Sequence, residues 1–354
     1  MAVTVGLDIG STGVRAAVID TAKSRRTLRR YGELPLPHGA VVGGEIVDDL
    51  AVIETITALW RREKLPSRGV VVGTASQRIV VRHVELPQME DSELKRALPF
   101  HVQEAIPMAV EDAILDWVGV EDYVTDDGQP MRSILVIAAH REIVDALVAV
   151  TRQAGVTIQA IDLQAFALVR SVFGMEPALG NSLQAILDIG ASVTQLVISK
   201  GGAARFVRVL PRGGDGFTIS LKDALEIEVA DSDEMKRRVG VSSNGDTGGS
   251  DLDEEARSVL TEQADSLIEE IRGSIEFYLA ASREERISRL VVAGNGARLP
   301  HLARRLGRKL DIPVEPAKVL DFVDVGRVDK TDAEMLDAQP VLPTAVGLGL
   351  WGDI

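Results

Sequence analysis

The sequence contains no cysteine, which excludes a disulfide framework and any thiolate metal site. Histidine is also sparse. His38, His83, His101, His140 and His301 are too scattered to form a ligand set at metal-motif spacing. Basic side chains are in the minority, 39 against 53 acidic, for a formal net charge of −14. Duplex affinity depends on Lys and Arg displacing counterions, so nucleic acid is excluded as a general partner. No apolar run approaches the roughly 20 residues of a membrane helix. The opening MAVTVGLDIG also lacks the charged and apolar regions of a signal peptide. These absences predict a cytoplasmic chain with no direct membrane insertion, which reaches a membrane only if a partner recruits it.

What the sequence does have is an ordinary globular composition, 45% hydrophobic and 26% charged. Single cores stop growing well before 354 residues, so two domains are expected.

The most informative feature is an internal echo. Val5 to Thr12 reads VGLDIGST and Ile186 to Ser192 reads ILDIGAS. Each is an apolar run, then Asp-Ile-Gly, then small or hydroxyl residues. A second strand-like run follows each, at Arg15–Asp20 and Thr194–Ser199. Each unit therefore reads as a β-hairpin. Glycine lets the backbone approach an anion, successive N–H groups form a donor nest, and Ser or Thr adds a hydroxyl, so such a turn suits phosphate. The preceding carboxylates, Asp8 and Asp188, would hold a hydrated Mg2+ across a cleft. Either copy alone reads more readily as a mere tight turn; two copies, one per half, reverse that and favour the phosphate reading.

A third cluster, LVVAGNGARLP at 290–300, reads as a buried strand, a Gly-rich turn and a helix N-terminus, a junction suited to a nucleotide. It lacks the third glycine of a dinucleotide fingerprint, which argues against NAD.

Two phosphate-type hairpins half the chain apart, followed by a Gly-Asn-Gly turn, resemble the phosphate-1, phosphate-2 and adenosine motifs of the actin, Hsp70 and sugar-kinase superfamily. Within it, the chain is similar over nearly its whole length to the type IV pilus assembly PilM family, relatives of FtsA. The segments that carry this likeness are Ile106–Trp117, Ala138–Glu142, Ile161–Phe166 and Ile271–Tyr278, in that order. The resemblance implies an α/β, actin-like two-domain ATPase fold, a duplicated ribonuclease H-like motif, with an FtsA/PilM-type α+β inserted subdomain. It implies ATP and Mg2+ as cofactors. Gly10, Ser11 and Thr12 would contact the β- and γ-phosphates, with Arg15 in place of a phosphate-directed Lys. Gly190, Ala191 and Ser192 would form the second phosphate turn, with Gly214 abutting the phosphates. Gln164 matches the glutamine that orients the attacking water; a lone Gln on an amphipathic helix is also commonly a surface residue. Asp233, Lys236 and Arg237 resemble the acidic-x-x-Lys-Arg pattern of the adenine side, a spacing that acid-to-base pairs on a solvated helix would equally produce. Gly294, Asn295, Gly296 and Arg298 would complete the pocket.

In domain terms, 1–82 with 156–180 and 341–354 are expected to form the first actin-like subdomain, 83–155 the insertion, and 181–340 the second domain. Pro99 should kink or interrupt the insertion's helix. The polar stretch 241–256 is assigned no structure, and a long helix is expected over Val259–Tyr278. The family implies a nucleotide-dependent scaffold with slow or absent hydrolysis. Its implied partner is the cytoplasmic N-terminal peptide of PilN, bound between the first subdomain and the insertion, beside other inner-membrane platform proteins. The alternatives are an FtsA-like filament-forming ATPase and a small-molecule kinase of the same superfamily. Self-association is neither supported nor excluded by the sequence, and no segment resembles a sugar-kinase substrate motif.

Overall fold

The computed structural model describes residues 3–22, 25–174, 182–242, 249–282 and 286–352. The first domain opens with β1 (Val3–Ile9), β2 (Gly13–Asp20) and β3 (Thr27–Pro35), an antiparallel meander. β2 is buried along its whole length, as expected of a central strand covered on both faces. A small hairpin, β4 (Val41–Val42) and β5 (Glu45–Ile46), leads into α1 (Asp49–Glu63). That helix is capped by the Asp48 carboxylate, which accepts from the Ala51 N–H, and it ends on Lys64 in the left-handed region. β6 (Val70–Thr74) then runs parallel to β1.

The chain next leaves for the inserted subdomain, formed by β7 (Ile79–Pro87), α2 (Asp91–Val102), β8 (Ala113–Val124) and β9 (Pro130–His140). Its three strands lie in the order β7-β9-β8, all antiparallel. Leu94, Leu98 and Val102 of α2 pack on Ile134, Val136 and Ala138 of β9 as a separate small core. Pro99 does not interrupt α2; it sits in the last turn, so only the end of the helix bears the missing N–H. The chain re-enters through α3 (Arg141–Gln153), β10 (Ile158–Leu163) and α4 (Gln164–Val172). The sequence expectation placed α3 with the insertion. Its Ile143, Leu147 and Val150 are instead buried in the core of the first domain.

The second domain repeats the first. β11 (Leu183–Ile189), β12 (Thr194–Lys200) and β13 (Ala203–Leu210) form its meander, followed by α5 (Gly214–Leu225), α6 (Val229–Val239) and α7 (Asp251–Ser282). Then come β14 (Leu290–Ala293), α8 (Leu302–Leu310) and β15 (Val314–Pro316). The sheet orders β10-β6-β1-β2-β3 and β13-β12-β11-β14-β15 are the same order in the two copies, and this is the structural counterpart of the sequence echo. α7 starts at Asp251, so 251–256 are helical where no structure was expected. Acids at Asp251, Asp253 and Glu254 suit a helix N-terminus, and Arg238 holds Asp253 at 2.7 and 3.0 Å. The rest of that polar stretch, 243–248, falls outside the described residues.

The chain returns to the first domain earlier than residue 341. β16 (Asp324–Val325) pairs in parallel with β3, and Val319, Val323 and Met335 share a core with Tyr31 and Leu28. α9 (Asp332–Ala338) begins with a Thr331–Glu334 capping box, and α10 (Leu342–Gly349) closes the fold. α10 packs backbone to backbone. A Cβ on Gly347 would lie 1.8 Å from the Ala167 carbonyl oxygen of α4, and one on Gly6 would lie 2.0 Å from the Ala345 oxygen. Among the described residues, no helix is long and apolar enough to cross a membrane.

Candidate functional site

The two hairpins meet at the domain interface. Both turns close in the same way, Gly10 N–H donating to Gly13 O at 3.0 Å and Gly190 N–H to Val193 O at 2.9 Å. The Ser11 and Ser192 hydroxyls touch across the interface at 2.5 Å, and Gly43 N–H donates to the Ser192 hydroxyl at 3.2 Å. The β4–β5 turn therefore reaches the second domain. The next residue, Glu45, accepts from Ser76 at 2.7 Å and from Arg78 at 3.2 Å. Both partners lie between β6 and β7, at the root of the insertion.

Beneath the turns runs a buried polar chain. Asp8 and Asp188 occupy equivalent positions near the ends of β1 and β11. Gln164, the first residue of α4, donates to Asp8 at 2.9 Å, and its amide oxygen accepts from Gln195 at 3.0 Å. Gln195 also donates to Asp188 at 3.3 Å. The sequence reading missed Gln195. Strand register was the available signal, since Asp8 pairs with Arg15 and Asp188 with Gln195 in matching places of the two hairpins. Gln164 is buried, not a surface residue.

The electrostatics are unequal on the two sides. Arg15 lies 3.5 Å from Asp8 and 2.7 Å from Glu33. Burial raises the Asp8 pKa, and Arg15 pulls it back down. Burial also disfavours the Arg15 cation, but the carboxylates of Asp8 and Glu33 outweigh it and hold its pKa above the ordinary value. Among the described residues Asp188 makes no ion pair, and the more distant Arg15 and the Gln195 amide lower its pKa by less than burial and Asp8 raise it. Burial and then the charge of Asp8 push its pKa up to about 7. Arg15 Nε is a buried donor with no protein partner. Glu33, the second carboxylate on Arg15, is a further residue that only the β2–β3 register could have identified.

Gly10, Ser11, Thr12, Gly190, Ala191, Gly294 and Asn295 line one cavity with Asp8, Arg15, Gln164 and Asp188. Gly294 has φ +84°, and a Cβ there would lie 2.6 Å from Asp188 Oδ1, so this turn requires glycine. Gly296 packs against Ile189. Gly214 N–H donates to Gly190 O at 2.9 Å, which seats the α5 N-terminus on the second turn. Lys236 joins this corner, donating to Gly214 O at 3.2 Å and Thr218 Oγ1 at 2.6 Å while paired with Asp233 at 2.7 Å. Arg237 pairs with the other oxygen of Asp233. These three thus form the acid-to-base ladder that helical spacing allows, beside the second phosphate turn. Arg298 is placed differently from the expectation. Its guanidinium pairs with Asp337 of α9 at 2.7 Å and does not line the cavity. A long side chain just past a glycine turn can reach either way, and the acid on α9 decides it.

Among the described residues no group of three or more His, Asp or Glu side chains could cage a metal alone. Two buried carboxylates do suit Mg2+, which keeps several waters and takes one or two protein carboxylates.

A family model described as "Type IV pilus assembly protein PilM" matches residues 6–352. Among solved structures, the chain is similar to a PilM–PilN type IV pilus biogenesis complex, with TM-score 0.83, 24% identity, and 98% of this chain and 97% of that one covered. It also resembles MreB 5 of Spiroplasma citri bound to AMPPNP, with TM-score 0.60, 14% identity and coverage of 100% and 96%. The ethanolamine utilization protein EutJ of Carboxydothermus hydrogenoformans gives TM-score 0.56, 14% identity and coverage of 99% and 90%. With its duplicated, actin-like fold and a family match over almost its full length, the chain belongs to the type IV pilus assembly PilM family.

Proposed function

We propose that this chain holds Mg·ATP between its two hairpins and acts as a nucleotide-dependent scaffold of the type IV pilus machinery. The observation that carries this reading is the pair of equivalent carboxylates, Asp8 and Asp188, joined through Gln164 and Gln195 beneath two glycine-hydroxyl turns. Residues 10–12 and 190–192 offer backbone and hydroxyl donors to phosphates. The Asp233, Lys236 and Arg237 corner is the candidate adenosine side. Asp8 and Asp188 would hold Mg2+, which supplies positive charge against the phosphates. That MreB 5, on the same fold, was crystallised bound to AMPPNP supports nucleotide binding.

Hydrolysis on this reading is slow or absent. Asp8 and Gln195 fix the Gln164 side chain and leave one N–H and one oxygen lone pair to hold a water, but a neutral amide cannot take that water's proton. Steady-state turnover is expected well below about 1 per second, at the slow margin of enzymes.

The partner is the N-terminal peptide of a PilN-type inner-membrane protein, docked on the inserted subdomain. The PilM–PilN complex structure supports this choice. Such a peptide would bring to the inner face of the membrane a chain whose described residues hold no helix long and apolar enough to cross it. Contact from Ser192 to Gly43, and from Glu45 to Ser76 and Arg78, links the phosphate turn to the root of the insertion. Nucleotide can thereby change the insertion's angle and the peptide's affinity. The test pairs two titrations. Mg·ATP should bind the wild type and bind Asp8→Ala/Asp188→Ala far more weakly, with a smaller loss for ATP without Mg2+. The cognate PilN peptide should bind the wild type with an affinity that changes on adding Mg·ATP. Equal Mg·ATP affinity for both proteins contradicts the nucleotide site, and peptide affinity indifferent to nucleotide contradicts the coupling.

A further inference from the structure

The chain is acidic as a whole, but its charge is unevenly spread. Segments 25–32, 61–69 and 152–159 hold nine of the 39 basic residues and one of the 53 acidic ones, Glu63. Folding brings these segments together at one end of the first domain. Arg30 on β3 donates to the carbonyl of Lys64, which ends α1, and Thr157 N–H, just past α3, donates to Ser67 O at 2.8 Å. Gly69 O accepts from Val5 N–H at 2.9 Å, near the start of β1. Asp8 and Gly10, which line the candidate nucleotide cavity, lie past the other end of that strand's run. The basic pole and the cavity are thus at opposite ends of one sheet.

Part of this concentration serves the fold. Arg61, Arg62 and Arg152 lie in the last turns of α1 and α3, where cations complement the helix dipole. Arg25 and Arg29 are paired with Asp324 and Asp20, and Arg62 with Glu63. The side chains of Arg61, Lys64, Arg68 and Arg152 remain. Each is exposed and makes no hydrogen bond or ion pair among the described residues. Two apolar side chains emerge at the same end. Val3, whose carbonyl approaches Gly69, is 41% exposed. Trp351, 38% exposed, follows α10, which has Thr344 on the cavity near its start and Gly349 against Ile19 at its end.

We propose that this pole rests on an anionic lipid surface. The inference depends on the reading that a partner peptide brings the chain to a membrane, and it adds how the chain is oriented there. An evenly acidic chain of net charge −14 would be repelled by such a surface. With the free cations gathered at one pole, one orientation is attracted, and the nucleotide cavity then faces away from the lipid. Arg and Lys stems can lie along the interface while their heads reach headgroup phosphates, and Trp351 suits the headgroup level. Nucleic acid fits less well, because a long duplex would run past the pole onto the acidic remainder. Such contacts are weak alone and become effective beside a second anchor.

The test measures co-sedimentation of the intact chain with vesicles of phosphatidylcholine, alone or with a third of phosphatidylglycerol. Each set is made with and without the lipid-anchored PilN-type peptide. Two variants carry the same change in net charge, Arg61→Glu/Arg68→Glu at the pole and Arg304→Glu/Arg308→Glu on α8. All four positions are exposed and free of hydrogen bonds and ion pairs among the described residues. Unchanged thermal midpoints report that both variants are folded. The wild type should prefer phosphatidylglycerol vesicles in both sets, less so as salt rises. The pole variant should lose at least tenfold in partition, about fivefold for each cation removed, and the α8 variant should behave as the wild type. No preference for phosphatidylglycerol, or an equal loss in the two variants, would overturn the proposal. So would a short DNA duplex that binds the wild type as tightly and depends on the same pole residues. The peptide arms separate the two readings. Recruitment by the peptide with no gain from phosphatidylglycerol overturns the pole and leaves peptide docking standing, and binding to phosphatidylglycerol without recruitment by the peptide does the reverse.

Discussion

Asp188 is where the two copies of the hairpin differ in chemistry. Asp8 has Arg15 beside it, and Asp188 has the neutral amide of Gln195 in the matching place. Its pKa of about 7, against an ordinary 3.8, is the consequence of burial and the nearby Asp8 charge. A folded-state pKa above the unfolded one means the folded protein binds the extra proton between those values. Stability from this group therefore falls as pH rises through that window, and the full cost of a buried carboxylate is borne above it. Asp188→Asn should flatten the pH dependence between those limits and stabilise the apo protein at pH 8 by up to about 4 kcal/mol, read as a rise in the thermal midpoint. A cation at the site lowers the same pKa. Mg·ATP binding at pH 6.5 should release protons, seen calorimetrically as a heat that varies with buffer ionisation enthalpy, and Asp188→Asn should abolish the release. Asp8, Asp188 and the turns were legible in the sequence because duplication exposes them. Gln195 and Glu33 were not, because their role depends on which residue of the next strand lies opposite, a fact of register. Arg298 sat in the right motif and turned to Asp337 instead.

Among the elements, α10 is the one whose sequence dictates its packing most directly. Gly347 and Gly6 have no space for a methyl group, and the atoms they would meet are backbone oxygens that no rotamer change can move. Gly347→Ala should cost about 3 kcal/mol, the upper part of the overpacking range, measured by denaturant unfolding. An unchanged midpoint would show that α4 and α10 can slide apart. The close crossing was readable from the run of small residues at 344–349, and so were the hairpins β1–β2 and β11–β12, but not the third strands, β3 and β13, that extend them into meanders. The limits of α7 and the insertion were less so. Polar content alone hides a helix start such as Asp251, whose acids serve the helix dipole and Arg238. Likewise α3 looks the same from its amphipathic spacing whichever core receives it; only the folded chain shows Ile143 and Leu147 turned toward the first domain.

Over the whole molecule, two repeats bring their glycine turns together, and a third unit hangs from the first repeat beside the second. The direct hydroxyl contact between Ser11 and Ser192 spans that junction. On the proposed reading, phosphates seated between the turns would separate these side chains, coupling nucleotide entry to domain spacing. On the same reading, the contacts of Gly43 with Ser192 and of Glu45 with Arg78 are the route by which that change would reach the insertion. The absence of cysteine from the sequence makes the separation directly measurable. In Ser11→Cys/Ser192→Cys the two thiols should form a disulfide under mild oxidation, the contact being within reach of that bond. The account predicts that Mg·ATP slows the cross-link, that the oxidised protein fails to bind Mg·ATP, and that reduction restores binding. Oxidised and reduced forms that bind Mg·ATP with equal affinity would contradict the placement of nucleotide between the two hairpins.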